Sequence, residues 1–212
     1  SSVGMQLVSL TTLPDSKTFP QNKVLTTNGS NKIQLDLQIP SETEYTQPYW
    51  LKETGTTGMY IVKDQKNIGI PDVIRETKVV FNIRIDEIEI PFERTIVYKY
   101  NDDVKGEMYN YLDVVPDVTT SIIDKVSLFR DTKMKYTAVK IKAGKDNVKG
   151  NLQLELPKSW KVLPTSIPFE LEKKGSEQTF YFEVTPPNSP EETVVKSVAI
   201  VNGKRFDQEQ II

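Results

Sequence analysis

Chemistry in this 212-residue chain falls to carboxylates, lysines and aromatic faces, because the sequence contains no His and no Cys. Without His it lacks the commonest general base and the commonest transition-metal ligand. A Ser-His-Asp triad, a Cys-His pair and a His-ligated zinc centre are all impossible within the chain. Carboxylates alone can catalyse, so an enzyme is disfavoured rather than excluded. Lone acidic pairs such as Asp86/Glu87 and Glu191/Glu192 are candidates for acid and base. Glycoside hydrolysis needs two carboxylates at a set separation in a cleft, and surface turns account for these pairs as well.

Aromatic faces concentrate in Gln47 to Tyr60, QPYWLKETGTTGMY. Tyr45, Tyr49, Trp50 and Tyr60 could form a flat platform on which the C–H faces of sugars stack. The competing reading has Trp50 and Leu51 plugging the core, Gly55 and Gly58 turning the chain, and a strand following near Met59 to Val62. Trp is usually well buried, which favours the structural reading.

Asn101, Asp102, Asp103 and Glu107 in the run after Tyr100 offer oxygen ligands. Calcium takes six to eight of these, so Asp102, Asp103 and Glu107 are a weak calcium candidate. The spacing does not match an EF-hand loop, and a solvated turn between strands is the simpler expectation. Lys133, Lys135, Lys140, Lys142, Lys145 and Lys149 make the densest basic region. It could draw an anionic glycan or head group, but lysines alternating along a strand more often mark a solvent face or protected edge. Asn28-Gly29-Ser30 fits the N-glycosylation triplet, a pattern common by chance.

The elements that must position these residues read as strands almost throughout. Ile33, Leu35, Leu37 and Ile39 alternate with polar residues across Lys32 to Ile39, as a half-buried strand does. Val79, Phe81, Ile83 and Ile85 repeat the pattern, then Ile88, Ile90 and Phe92 after the Asp86-Glu87 turn, then Ile96, Tyr98 and Tyr100. In the second half Val148, Leu152, Leu154 and Leu156 share a face, followed by Phe180, Phe182 and Val184. Val194 to Val201 is β-branched enough for a central strand. Asn202-Gly203 predicts a type I′ hairpin, with Arg205 to Ile212 as a last strand folding back. Thr120 to Phe129 suits a short helix or a strand equally. Prolines including Pro71, Pro91, Pro116, Pro157, Pro164 and Pro168 are expected at strand ends and in loops.

Short strands with regular turn signals predict an all-β fold of two tandem immunoglobulin-like antiparallel β-sandwiches. Their boundary falls in Asp113 to Thr120, giving domains 1–115 and 116–212. The formal net charge of −2, from 27 basic and 29 acidic residues, makes no electrostatic case for nucleic acid. No apolar run is long enough to span a bilayer. The absence of Cys is compatible with periplasm and cytosol alike. The opening Ser-Ser-Val-Gly and the ending Ile211-Ile212 suggest an excised piece of a longer protein.

Two segments carry a resemblance. QPYWLKETGTTGMYIVKDQKNIGIP, Gln47 to Pro71, resembles the region after the catalytic domain in large bacterial deacetylase-like proteins of the LmbE (PIG-L) family, especially those of Bacteroidetes. The run Val104 to Glu107 and then Val114 to Pro116 looks like that family too. LPKSWKVLPTSIPFELEKKGSEQTFYFEVTPP, Leu156 to Pro187, is similar to sandwich modules attached to bacterial glycosidases. The resemblance implies a non-catalytic accessory region downstream of a zinc-dependent de-N-acetylase-like domain, in a protein exported to the periplasm or beyond. It implies contacts with other domains of the parent protein and with glycans, and no cofactor for this chain. The family's catalytic domain holds zinc through a His-Pro-Asp-Asp motif and a further His; with no His here, no catalytic residue carries over.

Overall fold

The computed structural model describes residues 4–71 and 73–209, and it is all-β with antiparallel sheets. It divides into two compact units, Ser1–Val114 and Val115–Ile212.

In the first unit, β1 (Met5–Leu13), β2 (Lys17–Leu25), β3 (Lys78–Ile85) and β4 (Ile88–Thr95) form one sheet in the order β2-β1-β3-β4. A β-bulge between Leu7 and Ser9 adds one residue to β1. Leu7 then lies opposite Ile83 and Leu10 opposite Phe81. Ile83 and Phe81 are two apart and share a face, so Leu7 and Leu10, three apart, share it as well and are both buried. The rest of that face forms an open apolar trough along Met5, Ile85 and Phe92, with Arg94 at its edge. Beside the β1–β2 turn, the Thr12 hydroxyl donates to Asp15 at 2.6 Å and holds its carboxyl below the ordinary carboxylate range.

The second element of this unit is a separate hairpin of β5 (Val97–Asp102) and β6 (Gly106–Tyr111). Buried Thr77 ties it down: its hydroxyl donates to the Leu112 carbonyl at 3.2 Å, and its carbonyl accepts from the Ile96 amide at 3.1 Å. Between β2 and β3 lies a long segment with no strand among its described residues, broken by single 3₁₀ turns at Tyr49–Leu51 and Gln65–Asn67. Two expected strands fall here and do not form. Ile33, Leu35 and Leu37 are half-buried between exposed neighbours, but Ile39 is exposed and Lys32 to Ile39 belongs to no ladder. Around Met59 to Val62 there is only an isolated bridge between Thr56 and Met59.

The second unit is a β-sandwich. One sheet runs β10-β12-β8-β7, made of β7 (Val118–Ile122), β8 (Lys135–Ala143), β10 (Lys161–Leu163) and β12 (Glu177–Thr185). The other runs β11-β9-β13-β14, made of β9 (Val148–Glu155), β11 (Ile167–Leu171), β13 (Lys196–Val201) and β14 (Lys204–Phe206). Val139, Ile141, Phe182 and Val184 from the first sheet meet Leu152, Phe169, Ala199 and Val201 from the second in one core. A buried polar clip joins the layers. Thr120 donates to the Ser197 carbonyl at 3.1 Å, and the Ser197 hydroxyl donates to Thr120 Oγ1 at 2.9 Å. Each buried hydroxyl thus has a partner, as burial requires.

The Asn202-Gly203 turn has φ of 50° and 77°, the paired positive values of a type I′ hairpin, and Val201 faces Lys204 across it. The strand it opens is only Lys204–Phe206, shorter than the expected Arg205 to Ile212, whose last three residues lie outside the described ones. Thr120 to Phe129 begins as the end of β7 and then leaves the sheet without forming a helix. Pro91 and Pro168 sit inside β4 and β11 rather than at strand ends, and Pro20 inside β2. All three strands are sheet edges, where a missing N–H leaves no ladder bond unmade.

Candidate functional site

The aromatic loop is built from local bonds. After Pro48 the chain makes a 3₁₀ turn closed by the Leu51 amide on the Pro48 carbonyl at 3.0 Å. The turn sets Tyr49 and Trp50 edge to face, with ring centroids 4.9 Å apart. Twenty residues on, the Gly69 amide donates to the Tyr49 hydroxyl at 3.3 Å. Upstream, the Thr46 amide donates to the Val114 carbonyl and its hydroxyl accepts from the Val114 amide, both at 2.8 Å. The two glycines have structural reasons. Gly58 has φ of 82°, and a Cβ on Gly55 would stand 2.6 Å from the Met59 carbonyl oxygen.

Tyr45, Tyr49 and Trp50 are half-buried, whereas Tyr60 is 68% exposed. Tyr45 lines a recess of about 20 Å³ with Glu44 and Lys52, room for about one water rather than a sugar ring. Among the aromatics of this loop, the ring contact brings together Tyr49 and Trp50. Trp50 is thus neither a sealed plug nor an open platform. Its replacement by Ala is expected to lower stability by about 1–2 kcal/mol, short of the cost for a fully buried aromatic. Thermal unfolding of the variant checks this, and a loss beyond about 3 kcal/mol would mean full burial.

The acidic run is a capped turn. Asp102 Oδ1 accepts from the amides of Val104 at 2.9 Å and Lys105 at 2.8 Å, and these bonds, Lys105 first, lower its pKa. Glu107 pairs with Lys99 and accepts from the Tyr109 hydroxyl. Asp102 lies opposite Gly106 and Asn101 opposite Glu107, so Asp102 and Glu107 project from opposite faces of the hairpin. Asp103 is exposed beside them. Among the described residues no three acidic side chains gather as metal ligands.

The lysine cluster is partnered throughout. Lys140 and Lys142 lie 3.3 and 3.4 Å from Glu177, Lys145 is 2.6 Å from Asp117, and Lys149 is 2.7 Å from Glu170. Lys133 is 3.8 Å from Asp131, while Lys135 bonds the Leu128 carbonyl and lies 5.2 Å from the Phe129 ring centroid. Such exposed pairs add little stability, about 0–1 kcal/mol each, but they neutralise the surface an anion would need. Asn28 is exposed in a turn, Asp86 occupies the β3–β4 turn with φ of 52°, and Glu191 accepts from Ser159 at 3.2 Å.

Tyr98 and Tyr100 do more than mark the strand their alternation predicts. Their rings stack, 5.6 Å between centroids and inclined by 22°. The alternation Tyr98-x-Tyr100 was the available signal, since residues two apart share a face of a strand. No helix among the described residues is long and apolar enough to cross a membrane. No protein-family model matches the chain, and no curated protein matches it.

Proposed function

We propose that this chain is a non-catalytic accessory region of an exported LmbE/PIG-L-like de-N-acetylase, positioning the enzyme domain or contacting its glycan and protein partners. The observation that carries this reading is the state of Gln47 to Pro71, the stretch closest to the family's pattern. Its conspicuous residues serve the loop itself: Tyr49 receives Gly69, Trp50 packs on Tyr49, Gly58 makes the turn and Gly55 admits the Met59 carbonyl. The lack of His and Cys and the commitment of Asp102 and Glu107 to a cap and an ion pair support a role without catalysis.

For the second unit we read an immunoglobulin-like sandwich. The order β7-β8-β12-β10 fits strands A, B, E and D of that fold, and β9-β13-β14 fits C, F and G, with β11 added at the edge. Sandwiches host many functions, so this arrangement supports only an architectural role. Sequencing the gene upstream of Ser1 tests the family reading. A domain with a His-Pro-Asp-Asp motif is expected there, and a parent protein without one would overturn the assignment.

A further inference from the structure

The β5–β6 hairpin carries four tyrosines, and its two faces differ in what they have left to bond. Residues opposite one another share a face and neighbours along a strand alternate. Tyr98, Tyr100, Met108 and Asn110 therefore lie on one side, and Lys99, Glu107, Tyr109 and Tyr111 on the other. The second side is filled by its own partners. The Arg75 guanidinium lies 4.1 Å from the Tyr111 ring centroid, and Lys99 spans Tyr109 and Glu107.

The first side is open. Tyr98 is 68% exposed, and half-buried Tyr100 stacks behind it, holding the ring upright with its outer face free. Asn110, directly across from Tyr98, is exposed. We propose that this face binds a neutral polysaccharide, with a sugar ring stacked on Tyr98 and sugar hydroxyls bonded to the Asn110 amide. Tyr100 is a positioning residue. The proposal deepens the glycan contact of the accessory reading by naming its surface and ligand class, and its test does not depend on an upstream enzyme.

The chemistry selects this ligand over the others. An anionic ligand finds no counter-charge on this side, because Lys99 faces away and the charge the strands present here is the Asp102 carboxylate, which the Val104 and Lys105 amides hold in the turn. Single-stranded nucleic acid also stacks on aromatics but needs a cationic groove to track its backbone. A hydrocarbon would leave the Asn110 amide without a partner. A stable protein interface buries about 800 Å² on each side, far more than one ring and one amide supply. A sugar offers an apolar face to the ring and hydroxyls that both donate to and accept from the amide.

Affinity electrophoresis of the whole chain through gels holding hydroxyethylcellulose, glucomannan or glycogen tests the proposal. At least one gel is expected to retard the protein. Tyr98→Ala and Asn110→Ala are each expected to weaken that retardation by about tenfold, an ordinary cost for one stacking or hydrogen-bonding contact. Tyr98→Phe keeps most of it, and Tyr60→Ala leaves it unchanged. The thermal midpoint of Tyr98→Ala should match the parent's, since the ring is mostly in solvent. No retardation in any gel would overturn the proposal. So would loss of binding in Tyr60→Ala or Trp50→Ala with binding intact in Tyr98→Ala.

Discussion

Replacing Phe182 by Ala is expected to destabilise the second unit by about 3–5 kcal/mol, the usual cost of emptying a fully buried aromatic site. Phe182 is 0% exposed on β12 and belongs to the core both sheets share. A strand held on both sides cannot collapse into the void, so most of the lost contact stays lost. Trp160 provides the readout: it packs against the same core, with its ring centroid 5.4 Å from that of Phe129. In a Trp50→Phe background it is the only indole, since the chain has two tryptophans. Its denaturation midpoint should then fall steeply on Phe182→Ala. A shift worth less than about 1 kcal/mol would mean that the sheets do not close over Phe182.

Gly150→Ala is the second large effect, and here the obstacle is backbone. A Cβ at Gly150 would stand 2.3 Å from the Ile200 carbonyl oxygen and 3.0 Å from both Phe169 Cζ and Val201 Cγ2. The two side chains can shift, but the carbonyl belongs to β13, which pairs with β9 along this stretch. The ladder must open to admit the methyl group, so the cost should reach or exceed the upper end of the about 1–3 kcal/mol typical of over-packing. Lys149→Ala, next to it and facing solvent in an exposed pair with Glu170, should change stability by only about 0.5 kcal/mol. Equal denaturation midpoints for the two variants would contradict the register of β9 against β13.

Gly150 also shows why parts of the fold were legible. It occupies the core-facing position between Val148 and Leu152, so the apolar alternation of β9 continues around it. The same regular alternation marks β3 and β12, whereas β13 was legible from the β-branched run of Val194 to Val201, and the Asn202-Gly203 turn from two residue types that accept its positive φ values. β1 was hidden because its bulge places Leu7 and Leu10 three apart on one face, which breaks the period of two. β2 was hidden by Pro20 and the polar run Gln21 to Lys23, which an edge strand tolerates. Lys32 to Ile39 misled in the opposite sense, because alternation reports which side chains turn inward and not whether the backbone finds a ladder.

The candidate site divides along the same line. That Gly58 turns the chain was readable from residue type alone, whereas Gly55 instead leaves room for the Met59 carbonyl across the bridge. That Asp102 and Glu107 point apart required the hairpin register. Tyr98 was visible as a strand residue, but its exposure depends on what covers the hairpin, and nothing local in sequence encodes that.

The central claim is that this chain assists chemistry done elsewhere in its parent protein. Acetate release from N-acetylated sugars, measured for the parent protein, for its upstream part and for residues 1–212 alone, tests it most directly. The upstream part should carry the turnover, and residues 1–212 should release no acetate above buffer. Turnover by residues 1–212, lost on substituting one of its own carboxylates, would contradict the claim.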